Sequence, residues 1–121
     1  MGYRSEVAFS MSHDVRMKVF EKMQEELLGE DFKFVVETMN GKNVDGYFEN
    51  EDGIYVHFNS IKWYAHAGCP AATLIEDVLS VHEEEARFIR IGEDLDDTEQ
   101  FGSYHKVKRL DVSRWIQVTD C

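Results

Sequence analysis

The spacing of apolar residues changes within the first thirty positions, and this change constrains the fold more than any other feature. Over residues 3–11 the apolar side chains fall mainly on alternate positions, which predicts a strand with one buried face. Over residues 14–28 they recur every three or four positions, which predicts an amphipathic helix ending near Gly29. A strand followed directly by such a helix indicates a mixed fold in which the helix covers the sheet.

The rest of the chain extends this α+β pattern. Pro70, the only proline, is suited to the first turn of a second helix, which would run into Glu83. Further strands are predicted over residues 32–39, 44–48, 54–58 (continuing through 61–64) and 86–92, with one or two more between 104 and 118. We therefore predict one α+β domain over residues 1–121. Its antiparallel sheet is packed by two helices in split β-α-β-β-α-β (ferredoxin-like) order, with an extra C-terminal strand or hairpin.

Composition supports a folded protein of the cytoplasm. The chain has 121 residues, of which 43% are hydrophobic, and this content is too high for a disordered acidic tail. No apolar run approaches the length of a membrane span, and the N-terminus lacks the apolar core of a signal peptide. Cys69 and Cys121 are expected to be free thiols in a reducing compartment.

Negative charge is concentrated in one part of the chain. There are 24 acidic against 13 basic residues, for a formal net charge of -11. Residues 76–99 contain ten acids and two arginines, whereas the last 22 residues are slightly basic. A concentrated negative field repels nucleic acid and anionic lipid and attracts basic surfaces. We therefore expect no direct binding of nucleic acid or membrane, and we expect the C-terminal basic residues to pair with the chain's own acids or with a second subunit.

The acidic stretch is the best candidate for a partner-binding surface. The candidate residues are Glu83, Glu84, Glu85, Glu93, Asp94, Asp96, Asp97 and Glu99. Residues 93–99 are predicted to be a loop, and a plain solvated loop is the alternative interpretation. Asp94, Asp96 and the Thr98 carbonyl would supply only part of a calcium site, because the glycine and bidentate glutamate of an EF-hand loop are missing. We predict no metal site.

Two large aromatic residues lie between a strand and the second helix. Tyr64 is a candidate contact residue in an interface, since aromatic side chains with a polar group are frequent at binding hot spots. Trp63 is expected to pack under the helix, or to form a ligand pocket with Tyr64 and His66 beside the helix N-terminus, where backbone N–H groups bind anions. His66 and Cys69 lack a third orienting group, and the histidines lack metal-binding spacing, so we predict neither an enzyme nor a cofactor.

Three short blocks of sequence suggest a family. They are residues 2–7 (GYRSEV), residues 61–64 (IKWY), and residues 88–94 (FIRIGED) leading into Asp96 and Asp97. With these blocks the chain resembles small, acidic, uncharacterised proteins of tailed bacteriophages. The resemblance implies a phage or prophage context and carries over no catalytic residues. Small acidic phage proteins often inhibit host defence, as anti-CRISPR proteins do, or host nucleic-acid enzymes, in some cases by mimicking the charge of DNA.

Three functional hypotheses follow. The first is a non-enzymatic inhibitor in the host cytoplasm, which binds a basic, nucleic-acid-binding surface of a host or defence protein through its acidic face. The second is a small-ligand or nucleotide-binding module that sequesters a signalling molecule, using the pocket described above. The third is an immunity-type or antitoxin-type inhibitor of a cognate toxin. A homodimer is compatible with each of them.

Overall fold

The computed structural model describes residues 2–94, 96–113 and 115–120, and these form an α+β fold. Over these residues there are three helices, a five-stranded antiparallel sheet and a separate two-stranded sheet. The strands are β1 (Ser5–Ser12), β2 (Gly46–Asn50), β3 (Gly53–Ile61), β4 (Ala86–Ile91), β5 (Thr98–Gly102), β6 (Lys108–Val112) and β7 (Ile116–Asp120). The helices are α1 (His13–Glu26), α2 (Gly29–Met39) and α3 (Pro70–Ser80).

Strand β1 lies at the centre of the larger sheet, whose order is β2-β3-β1-β4-β5. Every neighbouring pair of strands is antiparallel. Phe9 of β1 lies between Val56 of β3 and Phe88 of β4, and all three are fully buried. Ala8, on the opposite face of β1, is also fully buried. The sheet therefore has a covered surface on both sides.

The three helices form the larger core on one face of the sheet. Ser12 begins α1 by accepting a hydrogen bond from the backbone N–H of Val15 (3.2 Å), and buried residues then follow at four-residue spacing. Pro70 lies in the first turn of α3, as the sequence predicts. The core of this face contains Val15, Val19, Met23, Val35, Met39, Leu74, Ile75, Val78 and Leu79, together with the side chains of β1, β3 and β4.

Helix α2 corrects the prediction of a strand over residues 32–39, so the sheet is packed by three helices and not two. The segment is rich in β-branched and aromatic residues, which favour a strand. Its apolar side chains are nevertheless also spaced as in a helix. Val35 and Met39 are four positions apart and fully buried, and the helix packs against α1 and α3. The composition of this segment favours a strand and its spacing favours a helix, and packing against α1 and α3 determines that it is a helix.

A C-terminal hairpin of β6 and β7 covers the other face of the sheet. The second core comprises Ala8, Tyr55, Ile89, Ile91, Tyr104, Val107, Leu110 and Ile116. Glu6 fixes the hairpin, since its carboxylate accepts the Ile116 backbone N–H (3.0 Å) and contacts Nε2 of His57 (2.7 Å). Burial and the charge of Glu6 raise the pKa of the neighbouring Tyr55 to about 12. Within the hairpin, Lys108 pairs with Asp120 and Arg109 pairs with Asp111.

Strand β5 begins inside the segment that the sequence predicts as a loop, so Thr98 and Glu99 belong to the sheet. Phe101 of β5 stacks on Phe88, with 5.1 Å between ring centroids. Cys69 is a free thiol, while Cys121 and the basic Arg114 lie outside the described residues. None of the three helices is long and apolar enough to cross a membrane.

Candidate functional site

The segment between β4 and β5, residues 92–97, carries four acids and is called the acidic loop below. The backbone N–H of Gly92 donates to the Asp97 carbonyl (2.8 Å), and the N–H of Asp97 donates to the Asp94 carbonyl (2.9 Å). The Tyr3 hydroxyl donates to the Asp97 carboxylate (2.7 Å) and accepts from the Asp94 N–H (3.1 Å). A Cβ at Gly92 would lie 2.2 Å from the Tyr3 hydroxyl, so this close approach requires glycine.

Arg90 of β4 holds the base of the acidic loop. Its guanidinium donates to both oxygens of Asp97 (2.7 and 3.1 Å), to Glu99 (3.2 Å) and to the Ser5 hydroxyl (3.2 Å). Arg90, and then Tyr3, lower the pKa of Asp97 to about 2. Arg90 thus pairs bidentately with Asp97 and through one hydrogen bond with Glu99, so both charges are partly neutralised and serve largely to fix the loop.

Three other carboxylates of the acidic loop face solvent. Glu93, Asp94 and Asp96 are exposed, and Glu93 additionally accepts the backbone N–H of Arg4 (2.6 Å). These exposed carboxylates lie beside Asp97, whose side chain is bound by Tyr3 and Arg90, and Tyr3 also binds the Asp94 backbone N–H.

The remaining predicted acids lie elsewhere. Glu83–Glu85 form a 3₁₀ turn before β4, called the acidic turn, whereas the acidic loop follows β4. The six residues of β4 separate the two groups by about 20 Å. Glu85 also accepts a hydrogen bond from the Ser12 hydroxyl (2.9 Å). The eight predicted acids therefore lie in two groups at opposite ends of β4.

A cavity of about 220 Å³ lies beside the acidic loop and is called the Trp63 cavity. It is lined by Tyr3, Trp63, Tyr64, Ala65, His66, Ala67, Glu76, Arg90, Asp97 and Glu99. The three predicted pocket residues thus line one cavity, and Tyr64 lies next to part of the predicted acidic surface. Cys69, at the N-terminus of α3, is not among the lining residues but lines separate grooves.

Glu76 is the buried acid of the Trp63 cavity. Its side chain is 3% exposed and accepts a hydrogen bond from Nε1 of Trp63 (2.7 Å). It also shares a hydrogen bond with the Glu99 carboxyl. Burial first, and the Glu99 contact second, raise the pKa of Glu76 from 4.5 to about 7. The Glu76 carboxyl therefore keeps its proton up to about neutral pH.

His66 occupies the neighbouring wall in a left-handed backbone conformation (φ 62°). Its Nε2 contacts the Asp77 carboxylate at 2.7 Å, and this hydrogen bond raises the pKa of His66. The pair has the elements of an acid–base dyad, but the described contacts show no hydroxyl or thiol bonded to the ring. The described residues also contain no group of three or more His, Cys, Asp or Glu side chains placed to hold a metal ion.

Sequence reasoning missed Tyr3, Glu76 and Arg90 as parts of the site. Tyr3 and Asp97 are 94 positions apart, so no local pattern links them. A signal for Glu76 did exist, because it lies among the buried residues Ile75 and Leu79 of an apolar helix face. A charged residue in such a position is seldom fully buried without a partner. Comparisons with protein-family models, curated proteins and solved structures find no match to this chain.

The raised pKa of Glu76 predicts how stability varies with pH. An acid with a raised pKa stabilises the fold fully below its unfolded value, here 4.5, and this contribution is lost as pH rises through about 7. We expect wild-type stability to fall by about 2 kcal/mol from this source between pH 5 and 8. Glu76→Gln keeps an acceptor for Trp63 and a donor for Glu99, so it should lack this fall.

Urea unfolding of both proteins across that pH range measures the effect. Glu84→Gln, at an exposed acid of the acidic turn, is the matched control and should follow the wild-type curve. An unchanged pH dependence in Glu76→Gln would show that the buried carboxyl is not responsible.

Proposed function

We propose that this chain is a non-enzymatic inhibitor, encoded by a phage or prophage, that docks its acidic loop and Tyr64 onto a basic surface of a host or defence protein. The observation that carries the proposal is the set of hydrogen bonds that holds the described residues of the acidic loop. Tyr3 binds the Asp94 backbone N–H, and Tyr3 and Arg90 bind the Asp97 carboxylate, while Glu93, Asp94 and Asp96 are exposed. A preorganised charged loop loses little conformational freedom on binding, so its electrostatic attraction is retained as affinity.

The net charge of this chain indicates the chemistry of the surface that it would bind. A chain with net charge -11 repels nucleic acid and is steered toward basic proteins. Basic surfaces that bind phosphate backbones are the natural match for outward carboxylates, and occupation of such a surface would exclude the nucleic acid sterically and electrostatically. The resemblance to acidic phage proteins supports the same class of target. Tyr64 would provide aromatic contact area beside the charged loop.

The alternative of a nucleotide-binding pocket is less well supported. Glu76, Asp97 and Glu99 line the Trp63 cavity, and carboxylates there oppose the entry of phosphate groups. Arg90 does not offset this, because its guanidinium is already bound to Asp97 and Glu99. An immunity-type inhibitor would use the same acidic loop and would differ only in the identity of its target.

Capture from a bacterial lysate, followed by mass spectrometry, tests the proposal. The bait is the wild-type protein, a loop variant (Asp94→Lys with Asp96→Lys), or a turn variant (Glu83→Lys with Glu84→Lys) that changes net charge by the same amount. We expect one nucleic-acid-handling protein to be retained by wild type and by the turn variant at low salt, lost at high salt, and absent from the loop variant. Retention of the same protein at high salt and with the loop variant as bait would overturn the proposal.

We further propose a structural relationship for the first four strands. Their order β2-β3-β1-β4, with α1 and α2 between β1 and β2 and with α3 between β3 and β4, supports a split β-α-β-β-α-β unit. In this description α2, β5 and the C-terminal hairpin are additions to that unit.

A further inference from the structure

The Trp63 cavity contains a buried carboxyl that receives no hydrogen bond from a cation. The hydrogen-bond partners of Glu76 in the described structure are the neutral indole of Trp63 and the Glu99 carboxyl. Burial of a charged carboxylate is costly unless a cation pairs with it. Below about pH 7 Glu76 avoids this cost by remaining protonated, which leaves a carboxyl group in a cavity with room for a further side chain.

The cations that line the cavity are already engaged. Arg90 binds Asp97 and Glu99, and His66 binds Asp77 outside the carboxyl pair. When Glu76 is ionised, the lining carboxylates therefore outnumber the lining cations. Tyr64 also lines the cavity, and aromatic rings attract ammonium and guanidinium groups. The cavity combines buried negative charge with an aromatic wall, and this combination suits an organic cation.

We infer that the Trp63 cavity receives one lysine or arginine side chain of the basic partner, with its cationic group against Glu76 and Glu99. This inference rests on the proposed function and names the group that the partner inserts there. A cavity of about 220 Å³ is of the size to take one such side chain, while the outward acids of the acidic loop contact the surrounding basic surface. Burial of a charge pair beside an aromatic ring would make this the central contact of the interface.

Entry of the cation also requires loss of the Glu76 proton. The groups that face Glu76 are Glu99 from β5, Arg90 from β4, Asp97 from the acidic loop, Trp63 and His66 from the loop before α3, Tyr3 from the N-terminal segment and Asp77 from α3 itself. The proton is released to solvent as the cationic side chain takes its place. Binding should therefore tighten as pH rises, because the unbound protein holds this proton less often.

Nuclear magnetic resonance of the isolated protein tests the cavity without the partner. The probes are n-butylammonium and n-butylguanidinium, with n-butanol as the uncharged control. The Trp63 indole N–H donates to Glu76 and reports on the cavity, whereas Trp115 is 59% exposed and provides an internal reference. We expect a saturable shift of the Trp63 signal with either cation, and an apparent dissociation constant roughly tenfold lower at pH 8 than at pH 6.

Two variants make the result specific. Glu76→Gln mimics the protonated acid and should lose the saturable shift while keeping a folded spectrum, and Glu84→Gln should retain it. No saturable shift at pH 8, an equal shift with butanol, or an unchanged shift in Glu76→Gln would overturn the inference. If cation binding fails but capture still depends on the acidic loop, only the inference fails. If cation binding is found but loop-dependent capture is not, the docking function fails instead.

Discussion

Replacement of Arg90 by methionine is expected to lower the free energy of unfolding by about 3 kcal/mol at pH 7. The guanidinium donates to Asp97, Glu99 and Ser5, and its side chain is only 16% exposed. Methionine retains much of the side-chain volume but donates no hydrogen bond. Asp97 and Glu99 would then lie beside Glu76 without their cation, so like-charge repulsion adds to the lost hydrogen bonds.

The stability lost on replacing Arg90 should become smaller as pH falls. Because Arg90 lowers the pKa of Asp97 to about 2, Asp97 stabilises the wild type above its ordinary pKa of 3.8, and this contribution is lost as pH falls toward 2. The wild-type advantage over Arg90→Met should therefore shrink over that interval. Urea unfolding between pH 2 and 7 measures it.

Arg109→Met is the matched control, since it removes an exposed arginine that pairs with Asp111. It should cost less than about 1 kcal/mol. Equal losses in the two variants would contradict the assignment of Arg90 as the anchor of the acidic loop.

Replacement of Phe88 by alanine is expected to lower the free energy of unfolding by about 4 kcal/mol, with a fall in Tm of roughly 15 °C. Phe88 is fully buried, and its ring lies 5.1 Å from Phe101, 6.1 Å from Trp63 and 6.4 Å from Phe9. It therefore connects β5 and the Trp63 cavity to the central strand. Its removal leaves a cavity that the rigid sheet cannot easily close.

Thermal unfolding followed by near-ultraviolet circular dichroism measures this effect. Phe48→Ala is the control, because Phe48 is 41% exposed on the edge strand β2 and contacts Lys108. Its loss should stay near 1 kcal/mol. A Phe88→Ala protein as stable as Phe48→Ala would show that this ring is not a central part of the core.

Secondary structure was predictable where residue spacing and residue type favoured the same element, and it was not where they favoured different ones. Helix α1 was predictable because Val15, Val19 and Met23 repeat on one face and most of the other positions are polar. Helix α2 was not, because its aromatic and β-branched residues favour a strand while their spacing also fits a helix. Strand β5 was not predicted from sequence because Phe101 is its only large apolar residue and acidic residues precede it.

In the candidate site, contacts between residues close in sequence were predictable and contacts between distant residues were not. Trp63, Tyr64 and His66 are close in sequence, so their grouping in one cavity could be predicted. The acidic turn was included in the predicted surface because it is near the acidic loop in sequence. A straight strand carries the chain away by more than 3 Å per residue, so sequence neighbours on either side of β4 end up at opposite ends of the sheet. The contact of Tyr3 with Asp97 depends on the complete strand order.

The most direct test of the docking function compares the affinity of the captured partner for three proteins by isothermal titration calorimetry. They are the wild type, the loop variant (Asp94→Lys with Asp96→Lys) and the turn variant (Glu83→Lys with Glu84→Lys). The two variants carry the same net charge, so they differ only in where the charge is reversed. Docking through the acidic loop predicts affinity on the order of a hundredfold weaker for the loop variant and within about threefold of wild type for the turn variant. Equal weakening in both variants, or no weakening in the loop variant, would contradict it.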